Sequence, residues 1–104
     1  FLPIFTLCAH NVKIGKNCFI TAQVGIAGST VVDDYCSFGG QSGVTSHIKI
    51  GKNSLIAAQS GVTKSLEGNN TYAGYPARKI KDFHKREALI GQIKKIQQKL
   101  KKDN

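Results

Sequence analysis

The feature that most narrows the possible folds is a six-residue period. From Cys8 the chain divides into ten consecutive hexads: CAHNVK, IGKNCF, ITAQVG, IAGSTV, VDDYCS, FGGQSG, VTSHIK, IGKNSL, IAAQSG and VTKSLE. Their first residues are Cys8, Ile14, Ile20, Ile26, Val32, Phe38, Val44, Ile50, Ile56 and Val62, so eight of ten are Ile or Val. An amphipathic helix repeats its apolar face about every 3.6 residues and a half-buried strand about every 2, so neither produces this rhythm. A coil with three short strands per turn does, each hexad giving one strand and one corner. The expectation is an all-β solenoid, a parallel β-helix of triangular section. Each first-position side chain points inward and stacks on its counterpart in the next coil, about 4.8 Å away.

The other positions fit the same geometry. The second residue is small or short in every hexad, and these positions are read as the places where the backbone turns. The fifth residue is small or aliphatic and is expected to face inward, so Cys18 and Cys36 should stack as small apolar side chains. Gln23, Gln41 and Gln59 recur every 18 residues, one full turn, and should form a stacked amide ladder with a structural role.

Residues 1–7 form an atypical N-terminal edge, and 8–67 hold the repeat. An exit segment follows at 68–78, where Asn and Gly build an irregular turn and Pro76 cannot donate to a sheet ladder. Residues 79–104 change to a helical pattern, with Leu89, Ile93, Ile96 and Leu100 stepping by 4, 3 and 4 as in a short coiled-coil seam. A solenoid of about three turns has exposed edges, and flat faces plus a heptad tail point to a cyclic homo-oligomer, with three-fold symmetry suited to a triangular prism.

Charge is concentrated at one end. The net charge is +9, and from Arg78 onward ten Lys/Arg stand against Asp82, Glu87 and Asp103, leaving about +7 there. Such a tail calls for an acidic protein, an anionic membrane surface or nucleic acid as partner, or simply forms a solvated face. No run approaches the roughly 18 apolar residues of a membrane span, and Phe1–Cys8 lacks the basic start of a signal peptide. Three cysteines without a secretory signal indicate free thiols in a reducing, cytoplasmic setting.

Two of the three histidines sit in the repeat. His10 takes the third place of its hexad and His47 the fourth place of another, two turns plus one residue later. They share one edge of the coil, roughly 10 Å apart, and neither is in an inward position. An imidazole titrates near neutrality and can take the proton of an attacking amine or hydroxyl. The alternative is a pair of solvated corner residues. No nucleophile is paired with either histidine, which favours direct transfer between two bound substrates. His84 lies in the basic tail as a surface residue, no closely spaced histidine pair occurs, and neither a metal nor a cofactor is expected.

At this level of detail the residues resemble a family. AHNVKIG, QVGIAGST, GGQSGV, the following His47 and the exit YAGYPA are similar to the UDP-3-O-acylglucosamine N-acyltransferases of lipid A biosynthesis, from Ala9 to about the end of the chain. The resemblance implies a left-handed β-helix trimer with active sites between subunits. It implies transfer of a 3-hydroxyacyl chain from acyl carrier protein to the 2-amine of a UDP-sugar acceptor. His10 then matches the general base in Ala-His-Asn, and His47 matches a second histidine that binds or orients a substrate. The basic helix gains an acidic candidate partner in acyl carrier protein rather than nucleic acid, with peripheral membrane contact left open. FLPIFTL replaces the polar stretch that precedes Ala-His-Asn in the family, and the nucleotide-binding domain is not matched, so a truncated form is expected. Two other readings stand beside this one: an acetyl-CoA-dependent hexapeptide-repeat acetyltransferase, and a non-catalytic trimerisation module.

Overall fold

The computed structural model describes residues 7–102. Ten two-residue strands mark the repeat: β1 (Leu7–Cys8), β2 (Lys13–Ile14), β3 (Phe19–Ile20), β4 (Gly25–Ile26), β5 (Val31–Val32), β6 (Ser37–Phe38), β7 (Gly43–Val44), β8 (Lys49–Ile50), β9 (Leu55–Ile56) and β10 (Gly61–Val62). Every third strand pairs in parallel at a register of 18 residues, as in Ile26↔Val44 and Val32↔Ile50. The result is three flat sheets, β1-β4-β7-β10, β2-β5-β8 and the one containing β3-β6-β9, wrapped into a parallel β-helix of about three turns. The hexad sets this directly, because three six-residue steps make one turn.

Inward stacking follows the sequence. Ile20, Phe38 and Ile56 form one ladder, Val32 and Ile50 a second, Ile26, Val44 and Val62 a third, each residue at most 6% exposed. Fifth positions fill the gaps between ladders with Val24, Thr30, Cys36, Ser42, Ser54 and Ser60, all buried. The hydroxyls of Thr30, Ser42 and Ser54 are held by main-chain carbonyls: Thr30 Oγ1 donates to Thr45 O at 2.8 Å, Ser42 Oγ to Gly39 O at 2.7 Å and Ser54 Oγ to Gly51 O at 2.6 Å. Thiols do the same, Cys18 to Asp33 O at 3.1 Å and Cys36 to Gly51 O at 3.2 Å. The glutamine ladder forms as expected. Gln41 Nε2 donates to Gln23 Oε1 at 2.8 Å, and Gln59 Nε2 to Gln41 Oε1 at 3.0 Å.

The corners correct one expectation. The residue that turns the backbone is the fourth of each of the first nine hexads, not the second. Asn11, Asn17, Gln23, Ser29, Tyr35, Gln41, His47, Asn53 and Gln59 all take φ between 56 and 62°. Side chains other than Gly and Asn rarely accept this left-handed region. Ladder bonds between coils hold them there, such as Tyr35 N to Lys16 O at 2.9 Å and Asn53 N to Asp34 O at 3.0 Å. The small second positions serve close approach instead. A Cβ on Gly39 would fall 2.5 Å from Ala58 N, and one on Gly15 or Gly51 would strike Asp34 or Gly68.

Past Val62 the coil tightens. Leu66 bridges Ile50, and β11 (Thr71–Ala73) joins β9, both at a register of 16 residues in place of 18. The segment expected to be an irregular exit thus adds a further strand to the sheet. β12 (Arg78–Lys79) then turns back antiparallel on β11 and leads into α1 (Ile80–Lys102). Phe83 seats against Gly74, where φ is +94° and a Cβ would lie 2.9 Å from the ring. That contact docks the first turn of α1 to the coil. No helical residue is buried, and Leu89, Ile90, Ile93, Ile96 and Leu100 are all exposed.

Candidate functional site

The corner between the β1-β4-β7-β10 face and the β2-β5-β8 face carries both repeat histidines. Main-chain bonds join them through one intervening coil: Ser29 N donates to His10 O at 3.1 Å, and His47 N to Gly28 O at 3.1 Å. Both are exposed. The coil between them contributes Gly28 and Ser29, and a Cβ on Gly28 would approach His10 O at 3.2 Å. Glycine at this place lets the two coils approach closely beside His10. Among the described residues neither imidazole has a side-chain hydrogen bond or ion pair, so both are available to a ligand. The expectation that the two share an edge holds. His84 stands apart on α1, its ring edge-on to Phe83 with centroids 5.7 Å apart.

The two faces that meet at this corner differ in chemistry. On one, the outward sixth positions are Lys13, Val31 and Lys49. On the other they are Gly25, Gly43 and Gly61, in direct register. Three stacked glycines leave a groove of about 520 Å³, with Ala9, Ala27, Thr45 and Thr63 along its side and Tyr75 at its far end. None of its lining residues carries a charge. Ala9 adjoins His10, and Thr45 lies two residues from His47, so the groove borders the histidine corner. The groove is not among the expectations that the hexad pattern raised. The signal was present in glycine at the sixth position of every third hexad, whereas Tyr75 lies outside the repeat and had none.

Cys8 corrects a second expectation. Read as inward by its place in the hexad, it is exposed. Its position stacks on Ile26 on one side only, within the described residues, so it lines the start of the groove rather than the core. Partial burial still pushes its thiol above the ordinary range. Cys36, enclosed between coils, is raised by the same cause, partly offset by hydrogen bonding from the Ser54 and Asn53 main chain. A thiol held protonated is a poor nucleophile.

The α1 surface is strongly basic, with Lys81, Lys85, Arg86, Lys94, Lys95, Lys99, Lys101 and Lys102 against Asp82 and Glu87. The sole ion pair among the described residues is Lys79 to Glu67 at 3.5 Å, exposed on both sides. Pairs of that kind contribute little. The positive helix is thus unneutralised. No helix of the described residues is long and apolar enough to cross a membrane.

No protein-family model matches the chain. Comparison with curated proteins gives clear relatives. The UDP-3-O-acylglucosamine N-acyltransferase of Caulobacter sp. (strain K31) is 43% identical over 79% of this chain and 24% of its own length. That of Wolinella succinogenes is 44% identical over 86% of this chain and 28% of its own. That of Campylobacter lari is 47% identical over 78% and 25%. Among solved structures, a bacterial hexapeptide-repeat serine O-acetyltransferase from Brucella melitensis superposes with a TM-score of 0.49 at 24% identity, over 66% of this chain and 38% of that one. The strand pairing itself establishes the coil. The chain is a hexapeptide-repeat β-helix similar in sequence to UDP-3-O-acylglucosamine N-acyltransferases, and it spans about a quarter of the length of the relatives it matches.

Proposed function

We propose that the protein is an N-acyltransferase that moves a 3-hydroxyacyl chain from acyl carrier protein to the 2-amine of a UDP-3-O-acylglucosamine, with His10 as general base. The observation that carries this reading is the pair of exposed, unengaged imidazoles on one corner of the coil, bordering an uncharged groove. The names of the relatives supply the substrate class. His10 removes a proton from the acceptor amine as the nitrogen attacks the thioester carbonyl. The tetrahedral adduct collapses to an amide, and the carrier thiol leaves with a proton. No acyl-enzyme is needed, since no activated nucleophile stands at the corner. General base catalysis of this kind contributes roughly 10²–10⁴-fold.

His47, two coils along, binds or orients the donor or acceptor. Its main chain is pinned at φ 60°, so its position is fixed by the corner rather than by the imidazole. The eight basic residues of α1 offer a docking surface for an acidic carrier protein. A homotrimer gives the exposed apolar residues of α1 and the open faces of the coil a partner, and a cytoplasmic setting suits three free thiols.

The test is acyl transfer with His10→Ala. The expected result is a loss of turnover of about 10²-fold or more with unchanged sedimentation. Wild-type turnover in that variant removes His10 as base. Donor competition separates the chemistry: transfer from acetyl-CoA but not from acyl carrier protein thioesters assigns the coil to an acetyltransferase. Partner binding with no transfer from either donor assigns it to a scaffold.

A further inference from the structure

We propose that α1 lies on an anionic lipid surface. Its apolar stripe enters the headgroup boundary, and the cations on either side of the stripe meet lipid phosphates. The proposal is independent of the acyl-transfer reading. It rests on the freedom of the helix from the coil, the narrow arc its apolar residues occupy and the sign of the charges around them.

α1 meets the coil at β11 and β12. Beyond Phe83, all of residues 84–102 are exposed, which leaves about 28 Å of helix uncovered at about 1.5 Å per residue. At about 100° per residue, Leu89, Ile93, Ile96 and Leu100 fall within an arc of roughly 60°. Each is more than half exposed. Lys85 and Lys99 lie to one side of this arc, Arg86 and Lys101 to the other. Long basic side chains in such places lay their stems along apolar surface and extend their charges outward. From residue 88 to residue 102 the helix carries five lysines and no carboxylate. Lys94, Lys95 and Lys102 point away from the stripe and stay open to an acidic carrier protein.

Charge selects the occupant. A second copy of α1 brings the same stripe but also the same lysines. The positions bordering a paired seam carry opposite charges that match across the helices. Here they are Lys85, Gln92 and Lys99 on one side and Phe83, Ile90 and Gln97 on the other, with no carboxylate among them. The stripe also covers only two heptads, short of the roughly three to four that sustain a coiled coil. Nucleic acid supplies phosphates but no apolar layer. An anionic lipid surface supplies both, with phosphates level with the bordering cations and acyl carbon beneath the stripe. The helix is not long and apolar enough to cross a membrane, so it lies in the plane of the surface.

Flotation of the full chain with vesicles tests this, one set of phosphatidylcholine alone and one of equal parts phosphatidylcholine and phosphatidylglycerol. The chain should float with the second set and not the first, and less as salt rises. Ile93→Ser with Leu100→Ser, and separately Lys99→Gln with Lys101→Gln, should each weaken binding roughly ten-fold or more. The chain has no Trp, so Ile96→Trp places a single reporter in the stripe. Its emission should move to shorter wavelength with the anionic vesicles alone. A wild-type chain that does not float overturns the inference. So does flotation that survives the double serine variant with Ile96→Trp emission unshifted, which is adsorption by charge. Self-association in sedimentation that the double serine variant abolishes, without flotation, gives the stripe to a second copy and also overturns it. Acyl carrier protein that strips the chain from the vesicles, and binds the double serine variant roughly ten-fold more weakly, gives the stripe to the carrier, with the same consequence.

Discussion

The coil and the helix solve the same problem in opposite ways. In the coil each residue finds its neighbour one turn away, so Ile50, Ile56 and Cys36 reach complete burial although each strand is only two residues long. α1 carries apolar residues too, yet none is buried. Ile93 and Leu100 are 61% exposed, a state that hydrophobic side chains of a finished surface seldom cluster into. The coil supplies its own partner by repetition. A single helix cannot, and a stripe of this kind needs a second element. The difference teaches that a solenoid carries its stability internally, while its appended helix leaves its apolar residues uncovered.

Breaking the comparison calls first for the deepest ladder. Phe38→Ala should cost about 3–5 kcal/mol in denaturant unfolding, whereas Ile93→Ala should stay within about 0.5 kcal/mol at low protein concentration. A loss for Ile93→Ala that matches Phe38→Ala and grows with protein concentration would show the helix to be as buried as the coil in its working form. A second measurement ranks burial within the coil. Alkylation followed by mass spectrometry at neutral pH should label Cys8 first and Cys36 last, with Cys36 slower by at least about ten-fold, because its thiol opens only with the coil. Burial raises both thiols, so labelling of each should quicken as pH rises beyond the ordinary thiol range. Equal rates at Cys8 and Cys36 would mean that the first coil is as enclosed as the middle one. The smallest effect sharpens the picture of the core. Ser60 Oγ is buried with no hydrogen-bond partner among the described residues, unlike Ser42 and Ser54. Ser60→Ala should therefore be neutral or stabilising by up to about 1 kcal/mol, and Ser54→Ala should cost about 1 kcal/mol.

Much of the fold was legible because its contacts are periodic. Ile14, Ile20 and Ile26 reveal the hexad to anyone who counts, and Gln23, Gln41 and Gln59 reveal the turn. The shared edge of His10 and His47 follows from arithmetic alone, since 37 residues is two turns plus one. Corner chemistry was less visible. Gly15, Gly39 and Gly51 suggested that the second position bends the chain, but they make room for a neighbouring coil, and the left-handed bend falls on residues as varied as Tyr35, Gln41 and His47. Inter-coil hydrogen bonds impose that conformation, so side-chain preference leaves little trace of it. Cys8 was misplaced for a related reason. A position in the repeat promises burial only where coils stack on both sides.

What the sequence determined by itself was the coil, its inward ladders and the common edge of the two repeat histidines, because all three depend on spacing along a regular path. What the tertiary structure alone decided was the chemistry around that edge. The uncharged groove exists because three glycines align at a register of 18, and its end exists because a loop outside the repeat is clasped at Gly61 and lays Tyr75 over it. Once the register changes from 18 to 16, no period predicts where the next side chain lands. From there, only the three-dimensional path of the chain sets which residues meet.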